Sequence, residues 1–195
     1  LYKDRPMHSP YGTLNFVEYR ALEGFVFAVT PFNFTSIGGN LCTAPAMMGN
    51  TVLWKPASTA VYAGYWIMQI LHEAGLPDGV VNFIPGSGSQ VGTPVLDSAL
   101  FSGLHFTGST AVFQGMWKTI GDQSAKYKTY PRIVGETGGK DFMVVHTSAD
   151  IDATATAMVR GAYEFQGQKC SALSRVYVPR DRKSTRLNSS HRIRS

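Results

Sequence analysis

Cysteine is scarce in this chain. Cys42 and Cys170 are the only two among 195 residues, too few for a disulfide-stapled scaffold. Long apolar runs are missing as well, and none approaches the roughly 18 residues that a membrane-crossing helix needs. The 20 glycines and 10 prolines show no G-x-y period, which excludes collagen. His8, His72, His105, His146 and His191 show no metal-ligand spacing, and His72-Glu73 lacks the second histidine of a zincin, so no metal is expected. The opening LYKDRPMHSP has neither a signal peptide's apolar core nor a leading methionine, so the chain is expected to be a piece of something longer. Against these absences stand 44% apolar and 16% charged residues, a globular balance.

The net charge of +5 suggests a nucleic-acid partner at first sight. Its distribution argues otherwise. Residues 181–195, DRKSTRLNSSHRIRS, hold five of the 18 Lys/Arg and one of the 13 acids. The basic character therefore belongs to a tail with two aliphatic residues, Leu187 and Ile193, which cannot bury a useful face and is expected to be disordered. No nucleic-acid or membrane partner is expected.

Upstream, short apolar β-rich runs alternate with helical patterns. Gly24–Pro31, Thr51–Lys55, Val80–Ile84, Leu104–Thr107, Phe142–Val145 and Ser174–Val178 read as strands covered on both faces. Thr59–Ala74 reads as a helix with Tyr62, Trp66 and Ile70 on one stripe, Ile67, Leu71 and Ala74 beside it, and Gly75 as its stop. Ser109–Ile120, closed by Gly121, and Ile151–Phe165, capped by Asp150, read as two more. Strand and helix in alternation predict an α/β fold with a Rossmann-like parallel sheet.

In such sheets ligands gather where strands end and helices begin. Two glycine-rich loops fall there: Pro85-Gly-Ser-Gly-Ser-Gln-Val-Gly92, and Thr107-Gly-Ser-Thr110 opening a helix. Small residues at a helix N-terminus leave backbone N–H groups open to a pyrophosphate. Neither loop is a G-x-G-x-x-G or a P-loop, but two in consecutive βα units, with Lys55 ending a neighbouring strand, favour a dinucleotide. Cys170, in Gly167-Gln-Lys-Cys-Ser171, lies in a short polar turn where the adjacent Lys169 would favour a thiolate. Cys42, in LCTAPAMM, reads as a small core residue. Glu136, in Gly135-Glu-Thr-Gly-Gly139, and Asn33, in Pro31-Phe-Asn-Phe34, are weak signals singly.

Together these segments resemble the aldehyde dehydrogenase superfamily. TPFNF is similar to its oxyanion asparagine motif, WKPA to its cofactor lysine, HFTGST to its pyrophosphate-binding strand-loop-helix, GETGGKD to its glutamate motif and FQGQKCSA to its cysteine motif. They occur in the family's order, and the resemblance runs from about Arg5 to Pro179. EYRALEGFVFAVTPFNFTSIGGNL and YPRIVGETGGKDF resemble the branch that oxidises L-glutamate γ-semialdehyde in proline breakdown, in a texture nearer its bacterial than its mitochondrial members.

The resemblance implies roles. Cys170 is the nucleophile, Glu136 the general base for thioester hydrolysis, and Asn33 the oxyanion donor. Lys55 and Ser58 hold the adenosine ribose, Gly86 lets the adenine approach, and Gly108 with Ser109 holds the pyrophosphate. Phe34 walls the aliphatic part of the substrate and Ser171 touches its polar end. The implied cofactor is NAD. Many NAD-preferring relatives carry a glutamate where Ser58 stands, so charge at that place admits NADP as well. The substrate is a small aldehyde, the longer parent is expected to be a homo-oligomer, and its location is cytoplasmic, or the mitochondrial matrix in a eukaryote. Glu136 disfavours acyl transfer to coenzyme A.

The implied domains are a bridging region at 1–22, a partial NAD-binding domain at 23–137, the start of a catalytic domain at 138–180 and a foreign tail at 181–195. Family chains are more than twice as long, so this piece alone is expected to be inactive, a dinucleotide-binding fragment at most; for the parent, another semialdehyde dehydrogenase of the same superfamily is the alternative.

Overall fold

The computed structural model describes residues 8–180, and the chain divides into two units at Thr137/Gly138. The tail at 181–195 and the start of the 1–22 region therefore lie outside the described residues.

The first unit is a five-stranded parallel sheet. Its strands are β1 (Phe25–Thr30), β2 (Thr51–Pro56), β3 (Val81–Phe83), β4 (Phe101–Gly108) and β5 (Arg132–Thr137), in the order β3-β2-β1-β4-β5. The crossovers carry α1 (Thr35–Met47), α2 (Val61–Glu73), α3 (Gly88–Asp97) and α4 (Thr110–Asp122). Strand order reverses at β1, so the sheet is wound in both directions from its centre.

The period-two pattern of FVFAVT makes two cores from one strand. Val26 and Ala28 join Leu41, Cys42, Val52, Trp54, Met68 and Val81 on one side of the sheet. Phe27 joins Val91, Val95, Leu96, Phe101, Leu104, Phe106, Ile120 and Tyr127 on the other. Each fully buried large side chain contributes about 1.5–3 kcal/mol, so both helical layers are held by the central strands. Polar groups in this interior are paired: Trp54 Nε1 donates to Thr30 Oγ1 at 2.9 Å, and the Tyr127 hydroxyl donates to the Leu96 carbonyl at 2.8 Å.

The second unit contains β6 (Asp141–Val144) and β7 (Leu173–Tyr177), paired in parallel, with α5 (Ile151–Tyr163) between them in sequence. Asp150 caps α5 as expected, its Oδ1 accepting from Ala153 N at 2.8 Å.

Several expectations need correction. Coverage on both faces holds for β1, β2 and β4, whereas β6 and β7 have mostly exposed residues. The face expected for α2 is half right: Ile67 and Leu71 pack against the core beside buried Gly64 and Met68, whereas Tyr62, Trp66 and Ile70 are exposed. Aromatic bulk misled the reading, because Tyr62, Tyr65 and Trp66 cluster edge-to-face on the surface, and the sheet receives glycine and aliphatic residues instead. Helix α4 continues through Gly121 to Asp122. The helix expected to reach Phe165 ends at Tyr163, because Phe165 and Gln166 are left-handed. Helices α1 and α3 and strand β5 were not anticipated. Gly38, Gly39 and Pro45 give α1 poor intrinsic propensity, and packing of Leu41 and Cys42 overrides it.

Candidate functional site

Because all five strands of the first unit are parallel, their carboxyl ends share one edge. Register fixes what stands there. Lys55 of β2 is level with Val29 of β1, Val29 with Phe106 of β4, and Thr107 with Glu136 of β5. Asn33 and Phe34 follow β1 across a short turn, and Phe34 is the extended N-cap of α1. Ser58 opens a 3-10 turn after β2, Gly86 follows β3, and Gly108 and Ser109 end β4 and cap α4. The sheet thus collects Asn33, Phe34, Lys55, Ser58, Gly86, Gly108, Ser109 and Glu136 on one edge from segments spread over a hundred residues.

Their environments differ. Lys55 is buried; its Nζ donates to the Pro56 carbonyl at 2.9 Å. Burial lowers its pKa by penalising the cation, so an incoming oxygen would relieve an existing cost. Ser109 Oγ accepts from Val112 N at 3.4 Å, which leaves the first amides of α4 directed outward at the positive end of the helix. A Cβ at Gly108 would meet the Phe106 ring at 2.8 Å, and one at Gly86 would meet Val91 at 2.8 Å, so each glycine lets a neighbouring side chain pack against the backbone at the strand end. Glu136 is exposed at the end of β5.

A cleft of about 110 Å³ opens beside this edge, between Thr30, Phe34, Gly38, Pro56, Ala60 and Gly64. Complete cofactor sites measure roughly 300–1,000 Å³, so the cleft fits part of a dinucleotide. A desolvated cation and open helix amides on one strand edge fit such a ligand in kind.

Cys170 is placed by the second unit. It lies in the turn between a 3-10 segment (Glu164–Gly167) and β7, and is half-buried. Three successive residues, Phe165, Gln166 and Gly167, have φ of 51°, 56° and 68°. For the two non-glycine residues this costs about 1–2 kcal/mol each, a strain found where surroundings over-determine the backbone. The turn closes with Gln168 N donating to Phe165 O at 3.0 Å and Ala172 N to Lys169 O at 3.2 Å. Ser171 is exposed beside the thiol.

Lys169 has a charged partner of its own. Its ammonium is turned to Glu164, Nζ to Oε2 2.6 Å, and this hydrogen bond with the lysine charge holds the Glu164 carboxyl below its usual range. The cation beside Cys170 is thus already paired with an anion. Sequence reasoning missed Glu164; the signal was an acid five residues before the lysine, a spacing that pairs only once the helix has ended.

Cys42 is core, as read. It is fully buried in α1, its thiol donates to the Gly39 carbonyl at 3.2 Å, and burial pushes its pKa up to about 12.

A doubly wound parallel sheet, followed in sequence by a unit that presents a turn-borne thiol, places the chain in the α/β class whose strand-end edge commonly receives nucleotides. The chain belongs to the aldehyde dehydrogenase family, whose model matches residues 2–190. The match extends past Pro179 into the basic tail, further than the motifs indicated. It is 57% identical over 180 residues to the mitochondrial delta-1-pyrroline-5-carboxylate dehydrogenase of Emericella nidulans, covering 91% of this chain and 32% of that protein. It is 56% identical to a probable enzyme of the same name in Schizosaccharomyces pombe, covering 91% and 33%. The crystal structure of the Mycobacterium tuberculosis delta-pyrroline-5-carboxylate dehydrogenase bound with NAD superposes with a TM-score of 0.83 at 54% identity, over 90% of this chain and 32% of that one. The chain spans about a third of the length of the curated relatives it matches. Fungal and bacterial relatives match about equally well, so the leaning toward a bacterial texture receives no support. Among the described residues no helix is long and apolar enough to cross a membrane.

Proposed function

We propose that the protein carrying this chain is an NAD-dependent dehydrogenase that oxidises L-glutamate γ-semialdehyde, the open form of Δ1-pyrroline-5-carboxylate, to L-glutamate as a step of proline breakdown. The observation that carries the reading is the single strand edge that holds Lys55, Gly108-Ser109 and Glu136, in a chain over half identical to dehydrogenases of that name.

The residues supply the steps. The Cys170 thiolate adds to the aldehyde carbon, forming the S–C bond and an oxyanion. The Asn33 side-chain amide and the Cys170 backbone N–H hold that oxyanion; one such donor is worth about 10²–10³ in rate. NAD accepts the hydride released when the thiohemiacetal carbon becomes a thioester carbonyl. Glu136 takes a proton from water, the hydroxide adds to the thioester, and the thiolate of Cys170 leaves with glutamate released. Lys55 and Ser58 hold the adenosine ribose, the α4 amides above Ser109 the pyrophosphate, and Gly86 faces the adenine. Ser58 can bond a 2′-hydroxyl or a 2′-phosphate, so charge at that place does not exclude NADP, and NAD is the cofactor of this reading. Phe34 and Ser171 flank the substrate chain. The full-length protein is a homo-oligomer and acts in the mitochondrial matrix in a eukaryotic source or the cytoplasm in a bacterial one.

The test is NADH formation by the full-length protein from glutamate γ-semialdehyde, with glutamate produced one for one and no acyl-coenzyme A formed when coenzyme A is present. Cys170→Ala removes turnover and keeps NAD binding, whereas Cys42→Ala keeps most activity. Equal losses from the two substitutions defeat the assignment of the nucleophile.

A further inference from the structure

The second unit contains a glycine whose conformation does not explain it. Gly138 has φ of 58° and needs to be glycine for its backbone. Gly139 is not among the positive-φ residues. What occupies its missing side chain's place is Cys170: a Cβ at Gly139 would fall on the Cys170 carbonyl oxygen, 2.5 Å from the carbonyl carbon and 2.9 Å from the Cα. These are backbone atoms, so no flexible end can swing aside.

Nor can the cysteine turn retreat easily. Asp141, two residues after Gly139, pairs with Leu173, three residues after Cys170, at the start of the β6–β7 ladder. Arg175 Nη2 adds a hydrogen bond to the Lys140 carbonyl at 3.4 Å. On the other side the turn leaves the left-handed run Phe165–Gly167, tied by Lys169 to Glu164. The Cys170 backbone is held between a ladder and a strained turn, with Gly139 as the floor under it.

We propose that Gly139 is a positioning residue for the nucleophile: its bare Cα is the seat on which the Cys170 backbone rests, and the seat sets where the thiol and the Cys170 N–H stand. The proposal rests on Cys170 being the nucleophile of the proposed reaction. Any side chain at 139 lifts the Cys170 Cα, which moves sulfur and N–H together. Thiol and oxyanion donor then lose their common alignment on one carbonyl, and a misplacement of about 1 Å costs on the order of 10²-fold in rate.

The test compares Gly139→Ala in the full-length protein with Gly161→Ala, a change in the same unit where the new Cβ meets Leu173 at an ordinary 3.4 Å. Four quantities are read: kcat, KM for the aldehyde, NAD affinity, and iodoacetamide modification of Cys170 and Cys42 by peptide mapping. For Gly139→Ala we expect kcat to fall at least 100-fold, with KM and NAD affinity within threefold of wild type. Cys170 stays alkylable, because alkylation needs no oxyanion donor, and Cys42 stays protected, because the first unit remains folded. Gly161→Ala retains kcat within threefold. A Gly139→Ala enzyme with near wild-type kcat and Cys42 protected overturns the proposal. If Cys42 becomes reactive the variant has unfolded, and the crystal structure of the wild-type full-length protein decides: Gly139 Cα in van der Waals contact with the Cys170 carbonyl supports the seat, and their separation by another group overturns it. Absence of NADH formation by wild type defeats the proposed reaction instead, and with it the kinetic arm, while the crystallographic contact is judged separately.

Discussion

The two cysteines offer a native-state experiment whose outcome follows from their surroundings. Treat the folded 195-residue chain with excess iodoacetamide at about pH 8 and follow each thiol by peptide mapping. Alkylation requires the thiolate. Burial holds the Cys42 thiol at about 12, so roughly one molecule in 10⁴ carries a Cys42 thiolate at that pH, whereas an ordinary exposed thiol near 8.5 is about a quarter ionised. That difference alone slows Cys42 by about three orders of magnitude. Its zero exposure, and the bond from its Sγ to the Gly39 carbonyl at 3.2 Å, slow it further, because the reagent cannot approach until α1 leaves the sheet. Cys170 is half-buried in a turn and needs no such opening. The expected record is complete modification at Cys170 with Cys42 untouched, then reaction of Cys42 when urea unfolds the first unit. Comparable rates at the two thiols in a chain whose circular dichroism remains folded would refute the reasoning.

Three further outcomes are expected. In the full-length protein, Glu136→Gln should give a rapid burst of NADH near one per active site and then a slow steady rate, because acylation survives and thioester hydrolysis does not; a stopped-flow trace with no burst, where wild-type acylation is fast, counts against the role. His105 Nδ1 donates to the Leu41 carbonyl at 3.1 Å and burial lowers its pKa, so the unfolded chain binds the proton first and stability falls as pH drops below about 6.5, by at most about 1.4 kcal/mol per pH unit. His105→Gln should flatten melting temperature between pH 7.5 and 5.5; an unchanged slope assigns the acid loss elsewhere. Gly64→Ala brings a Cβ to 2.7 Å from Phe83 Cε2 and 3.5 Å from Trp54, so overpacking should cost about 1–3 kcal/mol in a urea titration, and an equally stable variant would show that the Phe83 ring gives way freely.

The sequence by itself determined the strands that form the middle of the sheet, the order of the motifs and the types of residue at the strand ends. FVFAVT and TVLWK are apolar enough to be buried on two sides, and glycine, serine and lysine at strand ends are legible because local backbone chemistry demands them. Tertiary structure decided what local pattern leaves open. Helix α1 forms from glycine-rich, proline-containing sequence because Leu41 and Cys42 are needed against the sheet. Helix α2 turns its aromatic side outward because Gly64 must meet Phe83 and Trp54 closely. Lys169 looked like a cation free for the cysteine, and the end of α5 with a left-handed turn brought Glu164 to it. Nothing local marks Gly139, and only the pairing of β6 with β7 brings the Cys170 carbonyl onto it. Spacing in sequence encodes period and local conformation; which face is buried and which charge is already paired depend on groups that only the folded chain brings together.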